Sequence, residues 1–289
     1  LAKFVRRFGR PLMGALPDGT TGPHVFVEDL QAPEFSNEDH HHLGRVLRLR
    51  KGDPLTLSDG ARRWRQAAFD DIPTLTGDII EVPPPSPLIT VGFVVPKGDR
   101  PTWIVQKLTE VGVDEIHLLS SARSVVKWDA RKSEQQRNRL IRVAREAAMQ
   151  SRQVKVPVIR DTRDVAEALS MFDATLAHRG GDQLTLKHPI IYIGPEGGWE
   201  PAETANRSTV SLGQSVLRAE TAAVAAGSAL ALLRSHELRR HCKHIGLDVY
   251  GSRRLDSSRQ GPPQGNHDTT TRAGGSEMTL RRSTERLIE

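Results

Sequence analysis

The segment Ile190-Ile-Tyr-Ile-Gly-Pro-Glu-Gly-Gly198 runs from an apolar stretch into a glycine-rich turn. A buried strand that ends this way leaves backbone amides bare. Gly194, Gly197 and Gly198 have no Cβ to keep a ligand from the main chain at the strand's carboxyl end, although a tight turn with no ligand would have the same composition. Twelve residues on, Val210–Thr221 reads as a short strand, a turn at Gly213, the apolar pair Val216-Leu217 and the start of a helix. Arg218 and Glu220 stand at that start. A cation there can stabilise developing negative charge, and a carboxylate can accept a proton or orient the cation. The helix dipole alone would also favour a Glu at that position. Neither GxxxxGK[ST] nor GxGxxG occurs, so neither a P-loop nor an ordinary dinucleotide fold is signalled.

Other reactive side chains are less informative. The adjacent His40, His41 and His42 would point in three directions on a helix, and His241-Cys-Lys-His244 is a single cluster, so no metal is expected. The lone Cys242 excludes an internal disulfide and fits a reducing cytoplasm. Trp103 and Trp128 are expected to pack, with stacking on an extruded base as the alternative role.

These residues need elements to position them. Residues 1–23 are rich in Gly, Pro and Thr and read as a disordered lead-in. From 24 to 82, short alternating stretches such as His24–Val27, Pro54–Leu57 and Gly77–Val82 predict a small β-barrel-like domain with one helix near Ser36–Leu49. Pro83-Pro-Pro-Ser-Pro87 can continue neither strand nor helix and reads as a linker. From 88 to 234, strands alternate with helices: strands at Leu88–Val95, Glu115–Leu119, Val156–Ile159, Ala174–Ala177 and Pro189–Ile193, helices at Thr102–Gly112, Arg131–Gln150, Val165–Leu169 and Ala219–Leu233. That order predicts an α/β fold with a mostly parallel sheet. The last of these helices is built almost wholly of small residues, which permits close packing within the chain or across a dimer. Residues 235–289 read as a disordered tail.

Of 289 residues, 37% are hydrophobic, enough for a core, and only 4% are aromatic, which disfavours an aromatic-packed β-sandwich. No apolar run approaches the roughly 18 residues of a membrane span, and no signal peptide is expected. The 41 basic and 35 acidic residues give a net charge of +6, but half of it lies beyond Arg234. The informative excess is local. Between Arg123 and Lys155 ten basic residues face three acidic ones. On the helix there, Arg131, Lys132, Arg139, Arg142 and Arg145 fall opposite Leu140, Val143 and Ala144. Together with Arg45, Arg48, Arg50 and Lys51, this stripe suggests an extended polyanion such as RNA, with an ordinary solvated face as the competing explanation.

Gly194-Pro-Glu-Gly-Gly198 followed by Leu212-Gly-x-x-Val-Leu-Arg-x-Glu-Thr221 resembles the bacterial 16S ribosomal RNA (uracil-1498-N3)-methyltransferases of the SPOUT class. The resemblance extends through Val46–Leu49, Lys97-Gly-Asp99, Gln106–Val113, Arg123–Val126 and Glu146–Ser151, and covers about residues 24–234. It implies a PUA-like RNA-binding domain joined to a trefoil-knotted methyltransferase domain, a homodimer, S-adenosyl-L-methionine as methyl donor, and 16S rRNA or the small ribosomal subunit as partner. It assigns the cofactor to Leu176, His178, Gly194, Glu196, Gly197, Gly198, Leu212, Gly213, Ser215, Val216 and Leu217. Arg218 and Glu220 become the catalytic pair, and His42, Arg45, Arg48, Arg123, Arg139, Arg142, Arg145 and Arg152 the RNA contacts. Ser215 stands where the family commonly has Arg, which leaves Arg218 to supply the guanidinium. The alternatives at this point are a 2′-O-ribose methyltransferase of the same class and a catalytically inactive RNA-binding protein.

Overall fold

Parallel strands covered on both faces carry continuous apolar runs, and the buried stretch Thr90–Val94 (β6) has that composition. In the computed structural model, which describes residues 16–244 and side chains as far as residue 235, it lies inside a six-stranded, all-parallel sheet. The other strands are Glu115–Ser120 (β7), Val158–Asp164 (β8), Thr175–Gln183 (β9), Ile190–Ile193 (β10) and Thr209–Ser211 (β11). Their spatial order is β11-β9-β10-β6-β7-β8.

Alternate residues divide between two apolar layers. Val91, Phe93, Ile116, Leu118, Ile191 and Ile193 meet the helices Arg100–Glu110 (α2), Ala130–Gln150 (α3) and Ala219–His244 (α6). Val94, Leu119, Leu176 and Tyr192 meet Val165–Met171 (α4) and Trp199. The small residues of α6 serve packing within the chain. A Cβ on Gly227 would lie 2.7 Å from Leu108 Cδ2, so only glycine lets α6 approach α2 so closely. The helix runs ten residues past Arg234, into the segment expected to be disordered; Ser235–His244 contains neither Gly nor Pro to stop it. The remainder of that tail, 245–289, and lead-in residues 1–15 lie outside the described residues.

The smaller domain pairs His24–Phe26 (β1) in parallel with Pro54–Ser58 (β2), which pairs antiparallel with Arg63–Ala68 (β3). Two short strands, Thr74–Leu75 (β4) and Ile80–Glu81 (β5), also pair with β3. Val25, Leu55, Leu57 and Leu43 fill its core. The helix of this domain, Asn37–His41 (α1), is capped by Ser36 Oγ, which accepts from Asp39 N at 3.0 Å, and continues as one π-turn over His42–Val46.

The two domains share a seam of hydrogen bonds and charge. Asp114, only 6% exposed, accepts from Arg62 of the small domain at 2.9 Å and also binds Arg234 of α6, with Lys155 at 3.9 Å. The described end of the lead-in is tied to the rest of the chain. Gly22 O accepts from Arg152 at 2.5 Å, and Pro23 O accepts from Thr56 N at 2.9 Å, so tertiary bonds fix a segment whose composition alone would not.

Candidate active site at the strand ends

A cleft of about 310 Å³ opens where β9, β10, β11 and the start of α6 converge. Its walls are Ala177, His178 and Arg179 from β9, Ile193 through Glu196 with Gly198 and Trp199 after β10, the loop Ser211–Leu217 without Gln214, and Ala219 and Ala222 of α6. This is the general position of ligands in open α/β sheets, beyond the carboxyl ends of the strands.

Several local devices hold that geometry. Trp199 Nε1 donates to Ala177 O at 3.0 Å, which ties the turn after β10 to β9. The Trp199 ring fills the space beside Gly194, where a Cβ would lie 2.9 Å from Cε2. Gly198 and Gly213 have φ of +73° and +120° with open space where a Cβ would stand, so they present bare backbone to the cleft. Arg123 braces the turn from outside: Nε donates to Glu200 at 2.6 Å and NH1 to Gly197 O at 2.7 Å.

Of the residues assigned to the cofactor, His178, Gly194, Glu196, Gly198, Leu212, Gly213, Ser215, Val216 and Leu217 line this one cleft. Leu176 does not; it is fully buried in the layer of Tyr192 and Trp199 and supports β9 from within. Gly197 lies outside the lining, with its carbonyl taken by Arg123.

Arg218 is exposed and its carbonyl accepts from Ala222 N at 2.8 Å, so it caps α6. The helix dipole opposes a cation there, so the helix does not by itself call for this residue. Glu220 lies within the first turn. Its Oε1 is 3.9 Å from Arg100 Nε, and its buried Oε2 has no hydrogen-bond partner among the described residues. Arg100 also pairs with Glu196 at 2.5 Å. The sequence reading missed Arg100, because no local pattern links the first residue of α2 to the turn and the helix it touches.

The residues assigned to RNA divide into two groups. His42, Arg45, Arg48 and Arg142 are exposed and make no hydrogen bond or ion pair through their side chains among the described residues, and Arg139 has only a 3.3 Å contact with the exposed Asp99. Arg145, of the helix stripe, and Arg152, beyond the end of α3, have partners within the chain. Arg145 donates to Phe26 O at 2.9 Å with its guanidinium over the Phe26 ring, and Arg152 donates to Gly22 O, so both are engaged in the domain seam. A helical projection gives the side of the helix but not the domain lying against it. Arg123 is likewise engaged, at the glycine turn. Trp128 packs against the larger apolar layer, as expected, whereas Trp103 is 43% exposed.

Residues 84–231 match the model of an RNA methyltransferase domain, and residues 35–73 that of an RNA methyltransferase PUA domain. The chain belongs to the RNA methyltransferase family. Among the relatives of this methyltransferase is the ribosomal RNA small subunit methyltransferase E of Bacillus subtilis, 31% identical over 234 residues, covering 69% of this chain and 90% of the relative. A crystal structure of a ribosomal RNA small subunit methyltransferase E from Neisseria gonorrhoeae bound to S-adenosyl methionine aligns with a TM-score of 0.61 at 27% identity, covering 73% of this chain and 97% of that one. A probable rRNA-methyltransferase from Porphyromonas gingivalis aligns at 0.63 and 27%, covering 74% and 99%. The expected α/β fold with a small PUA domain therefore describes this methyltransferase.

The cleft has the features an adenosyl sulfonium needs. Apolar walls from Ile193, Leu212, Leu217 and Ala222 suit a purine and the methylene groups beside the sulfonium. Bare backbone at Gly198 and Gly213 supplies hydrogen-bonding groups at close range. Its volume lies near the lower end of the range usual for small-molecule pockets.

Proposed function

We propose that this methyltransferase transfers a methyl group from S-adenosyl-L-methionine to N3 of a uridine in 16S ribosomal RNA, during maturation of the small ribosomal subunit in the cytoplasm. It acts as a homodimer, with the loops of the cleft threaded through a trefoil knot. The reading is carried by one observation: a single cleft gathers the glycine turn, the Leu212–Leu217 loop and the start of α6, in a chain whose relatives are ribosomal RNA small subunit methyltransferases.

His178, Gly194, Glu196, Gly198, Leu212, Gly213, Ser215, Val216 and Leu217 hold the donor, which when bound supplies an electrophilic methyl on sulfur. The remaining chemistry belongs to the protein. The N3–H of uracil is a weak acid, so the site must favour the ring anion and present N3 in line. Arg218, exposed at the start of α6, stabilises negative charge on the ring; preorganised charge of this kind is a large catalytic term. Glu220 offers the free Oε2 as acceptor for the N3 proton. Positioning supplies a further part, on the order of 7–11 kcal/mol in favourable systems. His42, Arg45, Arg48, Arg139 and Arg142 hold the RNA backbone, while Arg123 holds the turn that frames the cleft.

Nucleoside mass spectrometry of small-subunit rRNA from a strain lacking the gene tests this reading. Loss of one 3-methyluridine, restored by the wild-type gene and not by the Arg218→Ala gene, is the expected result. Full 3-methyluridine in the deletion strain contradicts it.

A further inference from the structure

Arg100 opens α2, yet its guanidinium reaches two other segments of the site. NH1 lies 2.5 Å from Glu196 Oε1 in the turn after β10, and Nε lies 3.9 Å from Glu220 Oε1 in the first turn of α6. Among the described residues that line the cleft, Glu196 is the one carboxylate. Glu220 is 17% exposed, and its second oxygen is buried and free.

We propose that Arg100 is a positioning residue that sets the charge balance of the cleft, and with it the discrimination between methyl donor and spent product. The inference rests on the cofactor reading above. S-adenosylmethionine carries a sulfonium, an ammonium and a carboxylate, a net charge of +1. S-adenosylhomocysteine has lost the sulfonium charge and is neutral overall. A bare Glu196 beside this ligand would favour the cation selectively. That stabilises the ground state, whose charge disappears as the methyl moves to an anionic ring, and so works against the reaction. With Arg100 fixed on Glu196, the carboxylate is compensated and the preference for the charged donor is reduced. The same guanidinium stands 3.9 Å from Glu220 Oε1, while the buried Oε2 keeps no hydrogen-bond partner among the described residues.

The test is titration calorimetry of full-length protein with S-adenosylmethionine and, separately, S-adenosylhomocysteine. The quantity read is the ratio of the two affinities. Relative to wild type, Arg100→Gln raises the preference for S-adenosylmethionine about fivefold, the scale of one partly exposed charge pair, and Arg100→Lys restores it. Glu196→Gln shifts the ratio the other way by a similar factor, and this variant remains informative if Arg100→Gln does not fold. Equal weakening of both ligands in Arg100→Gln, or an unchanged ratio in Glu196→Gln, would overturn the proposal alone. Failure of the wild-type protein to bind either ligand would overturn the cofactor reading and this inference with it.

Discussion

Gly194 shows how one missing methyl group supports the site. The Trp199 ring occupies the place of its Cβ, and the same indole donates to Ala177 O, so ring, turn and β9 form one unit. Gly194→Ala forces the ring away or distorts the turn. The expected cost is about 1–3 kcal/mol of stability, as for other overpacked positions, together with weaker binding of S-adenosylmethionine. Urea denaturation and calorimetry on the same variant check both effects, and wild-type values in both would count against this account of the turn. A second residue-scale effect concerns pH. Burial pushes His24 down to about 4, with a smaller opposing contribution from the Gln153 backbone. His117, hydrogen-bonded to Tyr192 at 2.9 Å, is lowered by burial as well. For His24 the sign is clear: the unfolded ring takes a proton near pH 6.5 and the folded ring does not. Its contribution is intact above that pH and is lost as pH falls toward 4, by roughly 3 kcal/mol at most. Burial also acts to raise the Glu115 carboxyl, but hydrogen bonds from Arg160 and His117 outweigh it and hold the group below its ordinary range. Its contribution therefore disappears only at more acid pH. Urea midpoints measured from pH 7 to pH 4 should fall for wild type and fall less for His24→Gln; two parallel curves would refute the assignment to His24.

Among the elements, α3 carries two functions on one helix. Its apolar side, with Leu140, Ala144, Ala147 and Ala148, was legible from the 3.6-residue period, and Asp129 caps its start by accepting from Lys132 N at 2.7 Å. Its basic side divides by neighbour. Arg145 faces Phe26, whereas Arg142 faces solvent. Arg145→Ala should cost about 1–2 kcal/mol by removing a hydrogen bond and a ring contact at the seam. Arg142→Ala should leave stability within about 0.5 kcal/mol and lower the salt slope of RNA binding by about one unit. Chemical denaturation with RNA-binding isotherms across salt concentrations distinguishes them, and identical behaviour of the two variants would deny the division. Other elements were harder to read. β3, Arg63-Trp-Arg-Gln-Ala-Ala68, places charged and polar residues between Trp64 and Ala67, so its alternation carries little apolar signal. The helix Pro201–Thr204 (α5) is too short for any period to register. By contrast β6 and β10 stood out, because burial on both faces demands unbroken apolar runs.

In the whole molecule, the glycine turn and the Leu212–Leu217 loop could be recognised from sequence because their chemistry is local. What the sequence left hidden was long-range. The contact of Arg100 with Glu196 spans 96 residues, and that of Arg145 with Phe26 spans 119. The seam around Asp114 joins the small domain to the sheet and to α6, so the surface carrying His42, Arg45 and Arg48 is fixed relative to the cleft through buried charge. This arrangement supports RNA bound on one domain and modified on the other. The most direct measurement of the central claim is a reaction of purified protein, methyl-labelled S-adenosylmethionine and small ribosomal subunits from the deletion strain, followed by nucleoside mass spectrometry. The account predicts label in 3-methyluridine at a single site and none with Arg218→Ala. Label in a 2′-O-methylnucleoside, or no transfer by protein that is folded and binds the donor, would contradict it.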